Sequence, residues 1–405
     1  MFEGLNNGQH RGQDAAGIVT YDGEFFNEQK NNGLVKDVFH SGDAKSLRGK
    51  IGLGHVRYPT AGALSASNAQ PFFVNAPYGI YLIHNGNLTN AEEQRKKVTG
   101  KYSRHLRTTS DSEILLNVLA DKILDSIKAN GSKNPRQNIF EGVKLTMERI
   151  KGAYSVVALI DGVGLLAFRD PNGIRPLSVA TRMIHDETHD YAFASEDVAF
   201  GIIGFEKLRD VSPGEAILVD LDGKMHSFQA AKGQLRPCIF EYVYLARPDS
   251  MLDGISVYKT QLRMGQALAK QINGAGLQID SIIPVPDSAR PVALEVSKAT
   301  GIRYREGLVK NRYVGRTFIM PGQSERQKSI RRKLNAIPLE FDGLSVLIID
   351  DSIVRGNTIK QIVQMCRDAG AKKVYIASAS PPVKYPNVYG IDMPTKKELV
   401  ANGLS

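Results

Sequence analysis

Two adjacent carboxylates, Asp350 and Asp351, end an apolar run and open a loop of small residues; residues 346–358 read VLIIDDSIVRGNT. Neighbouring acids at the end of a strand can hold sugar hydroxyls or a metal. Behind them, Ser352, Gly356, Asn357 and Thr358 are small enough for backbone N–H groups to close on an anion. A following helix would add free N–H groups and a positive dipole end, which suits a phosphate. A lone strand–Asp–Gly turn is common in α/β domains, but the full pattern is far more specific. Neither GxxxxGK[ST] nor GxGxxG occurs, so kinase-type phosphate loops and dinucleotide folds lose support. A second chemistry-bearing group lies earlier, in three polar loops: residues 9–17 (QHRGQDAAG), 52–62 (GLGHVRYPTAG) and 80–90 (IYLIHNGNLTN).

The elements that must position these loops follow from periodicity. Residues 346–349 have the length and β-branching of a buried parallel strand, and residues 359–369 continue with helical spacing to a stop at Gly370. Helices at 257–272 and 291–299 alternate with strands at 279–285, 344–349 and 374–379, which predicts βαβ units and a parallel sheet. Ligands of such sheets sit at the carboxyl ends of the strands. There the loop 284–289 (PVPDSA) offers Ser288 as a further group near a metal or pyrophosphate.

The earlier part is strand-rich with intervening helices. Residues 153–160 and 164–169 read as a hairpin about Asp161-Gly162, with further strands at 191–195 and 216–220. Ser110 and Glu113 read as a capping box ahead of apolar Ile114, Leu115, Val118, Leu119 and Ile123. Asp111 then has a structural explanation as a first-turn acid against the helix dipole. The polar stretch 230–237 is the best linker, so the expected domains are 1–236 and 237–405.

Composition narrows the class. The chain has 405 residues and 42% hydrophobic content, ample for two cores. No run spans a bilayer and no charged-then-apolar leader opens the chain, which makes the cytoplasm the default and argues against a membrane. Cys238 and Cys366 are its only cysteines, too few for a disulfide framework or a four-cysteine iron–sulfur or zinc site. The formal charge is +10, but it is concentrated: between residues 303 and 333, ten Lys and Arg face only Glu306 and Glu325. That suits a polyphosphate substrate, and no nucleic-acid-binding signature accompanies it.

The acid-pair loop resembles the phosphoribosyl pyrophosphate (PRPP) loop of type I phosphoribosyltransferases. The whole chain resembles the glutamine PRPP amidotransferase (amidophosphoribosyltransferase) family, through HRGQDAAG, GHVRYPTAG, HNGNLTN, TTSDSE, FRDPNGIRPL, IFEYVYLARPDS, VKNRYVGRTFI and IIDDSIVRGNT in order. This resemblance implies an α+β Ntn-type four-layer sandwich, the class II glutamine amidotransferase fold, followed by an α/β type I phosphoribosyltransferase domain with a parallel sheet. Arg57 would bind the α-carboxylate of glutamine and Asp111 its ammonium, displacing the structural explanation of Asp111. Asn85 and Gly86 would form the oxyanion hole, and Arg11 would help shape the pocket.

In the second domain, Asp350, Asp351 and Ser288 would form a Mg²⁺ site. Residues Ser352, Ile353, Val354, Arg355, Gly356, Asn357 and Thr358 would cradle the 5′-phosphate. Lys328, Arg331 and Arg332 would contact pyrophosphate from a loop that closes over PRPP and keeps water out. The implied activity makes 5-phosphoribosylamine from PRPP and glutamine or ammonia, the opening of purine nucleotide synthesis. Purine nucleotides as inhibitors, a homo-oligomer and no iron–sulfur cluster complete the expectation.

The sequence departs from the family at both ends. It opens Met1-Phe2-Glu3-Gly4, without the family's N-terminal cysteine nucleophile, and stops at Ser405 where the family continues. The expectation for the polypeptide as written is a glutaminase half without activity, and a fragment or misplaced start as its cause. Two other readings compete. A non-catalytic PRPP or purine-nucleotide sensor reusing the fold should carry a DNA- or RNA-binding segment, and a base-specific phosphoribosyltransferase should lack the motifs before residue 180.

Overall fold

A computed structural model describes residues 1–40, 42, 45–58, 66–100, 103–185, 188–311, 333–391 and 395–403. The chain divides into two compact units. The first is Met1–Cys238 with Met251–Gly254 and Val388–Asp392, and the second is Ile239–Ser250, Ile255–Asn387 and Met393–Ser405.

The strands of the first unit are β1 (Ala15–Tyr21), β2 (Phe26–Asn32), β3 (Ile51–Arg57), β4 (Phe72–Val74), β5 (Ile80–Leu88), β6 (Gly152–Ile160), β7 (Gly164–Arg169), β8 (Ser178–His185), β9 (Thr188–Ala194), β10 (Glu206–Asp210), β11 (Glu215–Asp220) and β12 (Met225–Gln229). One antiparallel sheet runs β12-β11-β7-β6-β5-β4, and two smaller antiparallel sheets run β2-β1-β3 and β10-β8-β9. Strand alternation explains how the large sheet is buried on both faces. In β6, Val156, Ala158 and Ile160 join Leu116, Ile123, Ile139 and Val143 of the helices Asp111–Asn130 and Pro135–Arg149. The intervening Val157 and Leu159 instead meet Val19, Leu53, Val179 and Val211 of the smaller sheets. On the far side of β1, Ala16 and Ile18 pack on Val35, Val38 and Phe39 around the short helix Val35–Val38. Helix, sheet, sheet and helix make the four layers.

Two local expectations change. The cluster at residues 9–17 is only partly a turn: Gln9–Arg11 is one 3-10 turn, but Ala15 and Ala16 already lie in β1. Small residues are required there because a Cβ on Gly17 would lie 2.0 Å from the Gln70 carbonyl oxygen. The capping box is not closed either. Ser110 Oγ accepts from Ser112 N at 3.2 Å, but the Ser110 N–H is taken by Thr108 Oγ1. Glu113 therefore reaches further back, accepting from the N–H groups of Arg107 and Thr108 at 2.8 Å each.

In the second unit, Arg303–Tyr304, Ser281–Pro284, Ser345–Asp350 and Lys373–Ser378 are neighbours in that order, all parallel. The helices Val257–Gly274, Arg290–Thr300 and Asn357–Asp368 intervene as βαβ alternation requires. One face buries Ile283, Val346 and Ile348 on Ile359, Ile362 and Cys366, and the other buries Ile282, Leu347 and Ile349 on Ala269, Val292 and Val296. The strand expected over 279–285 is shorter, Ser281–Pro284, because Asp280 and Val285 only flank it, each donating one backbone N–H to the next strand. The stretch 230–237 is not a free linker: Gln234 N and Arg236 N donate to the carbonyls of Pro171 and Asn172 at 2.9 and 2.7 Å.

Candidate functional site

Around the end of β5, the first unit gathers polar groups that its own chain has already paired. Arg57 ends β3, opposite Ala15 in β1, and its Nη1 donates to Asp14 Oδ2 at 2.9 Å with both residues buried. Burial pushes the Asp14 carboxyl above the usual carboxylate range, and the Arg57 charge only partly offsets it. Asn85 Nδ2 donates to Ser195 Oγ at 3.1 Å. Gly86 has φ +148°, and a Cβ there would lie 1.9 Å from the Ala153 carbonyl oxygen across the β5–β6 ladder, so only glycine fits.

Asp111 stands in the first helical turn, but its partner lies outside the helix. Its Oδ2 accepts from Leu88 N at 2.9 Å, two residues beyond Gly86, and lies 4.0 Å from His84 Nδ1. His84 is itself fixed: Gln70 accepts from its N–H at 2.6 Å and donates to its carbonyl at 3.1 Å, while Ser112 Oγ lies 3.0 Å from Nδ1. Burial lowers the His84 imidazole pKa, with Asp111 pulling the other way. Burial, and next the neighbouring His84, push His55 of β3 down to about 3, so that ring is neutral. Arg57 shares a face of β3 with His55, two residues on.

Arg11 is committed elsewhere. Its Nη1 donates to Glu196 Oε1, which also lies 2.8 Å from His10 Nε2. Burial alone would raise the Glu196 carboxyl, but Arg11 and then His10 overcome this and hold it at about 2. Arg11 is thus tied to Glu196, two residues past the end of β9. Residues 59–62 of the GHVRYPTAG motif lie outside the described residues.

The second unit brings Asp350, Asp351 and Ser288 together. Strand Ser345–Asp350 delivers the acids, 9% and 7% exposed, and the loop after Ser281–Pro284 delivers Ser288, whose hydroxyl donates to Asp351 Oδ2. Ser352 Oγ donates to Asp351 Oδ1 at 2.6 Å, and Asp351 N to Asp350 Oδ1 at 2.9 Å. Burial, and then the charge of Asp351, raise Asp350 to about 7, and burial raises Asp351 as well. Ile353, Val354 and Arg355 carry the loop to Gly356, which caps Asn357–Asp368 with φ +75° and opens the N–H groups of Asn357 and Thr358 to the loop. Val400 N donates to the Val354 carbonyl at 3.0 Å and braces the loop from behind. Beside it, Lys310 Nζ and Arg290 Nη1 hold the two oxygens of Asp287 at 2.9 and 2.6 Å. Lys328, Arg331 and Arg332 lie outside the described residues.

Asp14, Gln70, Ser112, Ser195 and Glu196 escaped the sequence reading. Each holds a predicted residue, or the strand carrying it, from a distant point in the chain, as Glu196 holds Arg11 across 185 positions. Only the fold makes such partners visible.

Comparison with known proteins agrees with both units. A glutamine amidotransferase domain family matches residues 55–201, and a phosphoribosyl transferase domain family matches residues 258–387. Relatives named amidophosphoribosyltransferase include those of Pseudomonas aeruginosa, 53% identical with 100% of this chain and 81% of the relative covered, and Escherichia coli, 54% identical with 100% and 80% covered. A solved structure described as the allosteric regulatory enzyme of purine biosynthesis is 38% identical with TM-score 0.85, covering 100% of this chain and 83% of its own. The glutamine PRPP amidotransferase from B. subtilis, complexed with ADP and GMP, gives 38% and 0.84, covering 100% and 84%. Fold, motif order and these whole-chain likenesses converge: the chain belongs to the amidophosphoribosyltransferase family.

Proposed function

We propose that the second unit joins ammonia to C1 of PRPP, with departure of pyrophosphate, to give 5-phosphoribosylamine, and that the first unit supplies the glutamine-binding and oxyanion groups for hydrolysis of glutamine by water to glutamate and ammonia, a step that needs the family's cysteine nucleophile, which neither Cys238 nor Cys366 replaces. The observation that carries the reading is the buried acid pair Asp350–Asp351 at the end of a parallel strand, immediately before the Gly356-capped helix. Asp350 and Asp351 take the ribose hydroxyls, and the N–H groups and hydroxyls from Ser352 to Thr358 take the 5′-phosphate. Lys328, Arg331 and Arg332 supply positive charge to the pyrophosphate.

The residues fit Mg²⁺. Burial pushes both carboxyls up, with the Asp351 charge adding to the rise of Asp350, so a cation between them would favour their charged forms. Among the described residues no cluster of three or more His, Cys, Asp or Glu could hold a metal by itself. The other ligands would be substrate oxygens and water, the usual habit of Mg²⁺. Held by Asp350, Asp351 and Ser288, the ion would supply positive charge beside the departing pyrophosphate.

On the glutamine side, Arg57 binds the α-carboxylate and Asp111 the α-ammonium. Asn85 Nδ2 and the Gly86 N–H donate to the oxygen that becomes negative when the amide carbon turns tetrahedral. Burial and existing partners hold these groups before substrate arrives, so little reorganisation is needed.

Among the described residues no helix is long and apolar enough to cross a membrane, and cytoplasmic work on soluble substrates is the corresponding proposal. The B. subtilis relative is a complex with ADP and GMP, which supports purine nucleotides as ligands here too, in a self-associated protein. The deciding assay supplies PRPP, Mg²⁺ and ammonia and follows pyrophosphate and phosphoribosylamine together. Stoichiometric release of both is expected. PRPP binding without turnover would replace the enzyme by the sensor.

A further inference from the structure

The motif FRDPNGIRPL, residues 168–177, takes no part in either proposed site, yet it is among the most buried polar stretches of the molecule. Asp170 is fully buried, and its carboxylate accepts from the N–H groups of Asn172, Tyr154 and Ile174 at 2.9 to 3.2 Å, closing the loop around one side chain. The two arginines on either side face outward from this knot toward segments that arrive from far along the chain. Arg169, 1% exposed, donates through Nη1 and Nη2 to the two oxygens of Asp253 at 2.7 and 2.9 Å. Arg175 Nη2 donates to the carbonyl of Gly390. Asp253 and Gly390 belong to Met251–Gly254 and Val388–Asp392, the two late segments built into the first unit.

The second segment lies on the oxyanion turn. Asn87 Nδ2 donates to the Val388 carbonyl at 2.9 Å. Two residues on, Gly390 has φ +92° and sits so close that a Cβ would lie 2.7 Å from the Gly86 carbonyl oxygen, 2.8 Å from its carbon and 3.0 Å from Arg175 Nη2. Glycine at position 86 creates a problem that this contact answers. Without a Cβ, Gly86 has more backbone freedom than any other residue type, whereas an oxyanion donor must be held still. The β6 ladder restrains one side of it, and the segment from Val388 to Gly390 covers the other.

We propose that Gly390, anchored by Arg175 and by the Asn87–Val388 hydrogen bond, is a positioning residue that fixes the Gly86 peptide for oxyanion stabilisation. It acts through Gly86 and touches no reacting atom. The inference rests on the reading of Asn85 and Gly86 as oxyanion donors, and the test separates the two.

Gly390→Ala, Asn87→Ala and Asn85→Ala are made in the protein as its own cells produce it. Each is assayed for glutamine-dependent and ammonia-dependent synthesis, and for inhibition by an aldehyde analogue of glutamine, which forms a tetrahedral adduct. Gly390→Ala should lower glutamine-dependent kcat by roughly 10-fold or more, since the new methyl displaces the Gly86 carbonyl, and should leave the glutamine KM within about 2-fold. The aldehyde should lose affinity by the same factor, and ammonia-dependent turnover should be unchanged. Asn87→Ala removes one exposed hydrogen bond and should show the same pattern at roughly 3-fold, which decides the matter should Gly390→Ala not fold. Unchanged kcat in both, or equal losses with both nitrogen donors, overturns the proposal. If Asn85→Ala also leaves glutamine turnover intact, the oxyanion reading itself falls. If Asn85→Ala alone collapses it, only the role of Gly390 falls.

Discussion

The two candidate sites solve opposite electrostatic problems. In the first unit, Arg57, Arg11, Asn85 and Asp111 each already have a protein partner: Asp14, Glu196, Ser195 and the Leu88 N–H. In the second, Asp350 and Asp351 are pressed together in a buried place and met by neutral donors, the hydroxyls of Ser288 and Ser352 and the backbone N–H groups of Asp351 and Ser352. The named groups of the first are paired before any substrate comes, and the second carries a debt of charge that a cation could settle. Geometry therefore governs the antiparallel pocket and charge governs the parallel one. An amide is neutral and needs orientation, whereas PRPP and Mg²⁺ bring charge of both signs.

Substitutions can break this contrast. The largest effect is expected from Asp350→Asn: turnover with glutamine and with ammonia should fall together, by on the order of 10³-fold, the several kcal/mol that a metal clamp supplies. Its melting temperature in chelator at pH 8 should nevertheless rise, because the carboxylate, raised to about 7 by burial and by Asp351, is charged there at a cost. A fall in stability would show that the acid pair is not in conflict. Asn85→Ala should lower glutamine turnover by about 10²-fold, near 3 kcal/mol, and spare the ammonia reaction. Parallel losses in both reactions would erase the division of labour.

Glu196→Gln tests the pre-paired side by stability alone. The Glu196 carboxyl is held at about 2 in the folded protein, below its ordinary value, so its charge stabilises the fold above the ordinary range, and that stabilisation is lost as pH falls toward 2. The variant should lose about 3 kcal/mol at pH 7, about half of that near pH 3, and approach the parent only as the pH nears 2, as thermal melts across that range would reveal. A constant difference across that range would mean that packing, not charge, sets the cost. The smallest effect belongs to Ser110→Ala, about 1 kcal/mol by denaturant titration, since Ser110 caps only the Ser112 N–H.

How far the sequence spoke differs between the regions for a physical reason. The phosphate loop is one continuous stretch, so residues 346–358 announced strand, acids, turn and helix together, and Ser288 lay at a neighbouring strand end. The candidate glutamine site is assembled from β1, β3, β5, the helix Asp111–Asn130 and the residues after β9. Its motifs were legible, but their pairing was not: nothing near Arg11 in sequence points to Glu196, and the local reading of Glu113 as a box partner gave way to Thr108. The role of Asp111 was ambiguous because a first-turn acid and a strand clamp look alike until Leu88 is seen beside it. Periodicity placed three of the four parallel strands to within about two residues, as buried β-branched runs allow, and missed the two-residue Arg303–Tyr304.

The return of Val388–Asp392 to the first unit orders events in time as well as in space. A ribosome delivers the pocket-forming strands long before it delivers Gly390. Until then β5 lacks the cover of Val388 and Gly390, and Arg175 lacks the carbonyl it holds. A nascent chain can therefore fold most of its antiparallel layers early and still carry an unfinished pocket. The backbone around Gly86 would be fully braced only after the strands of the second unit have been made.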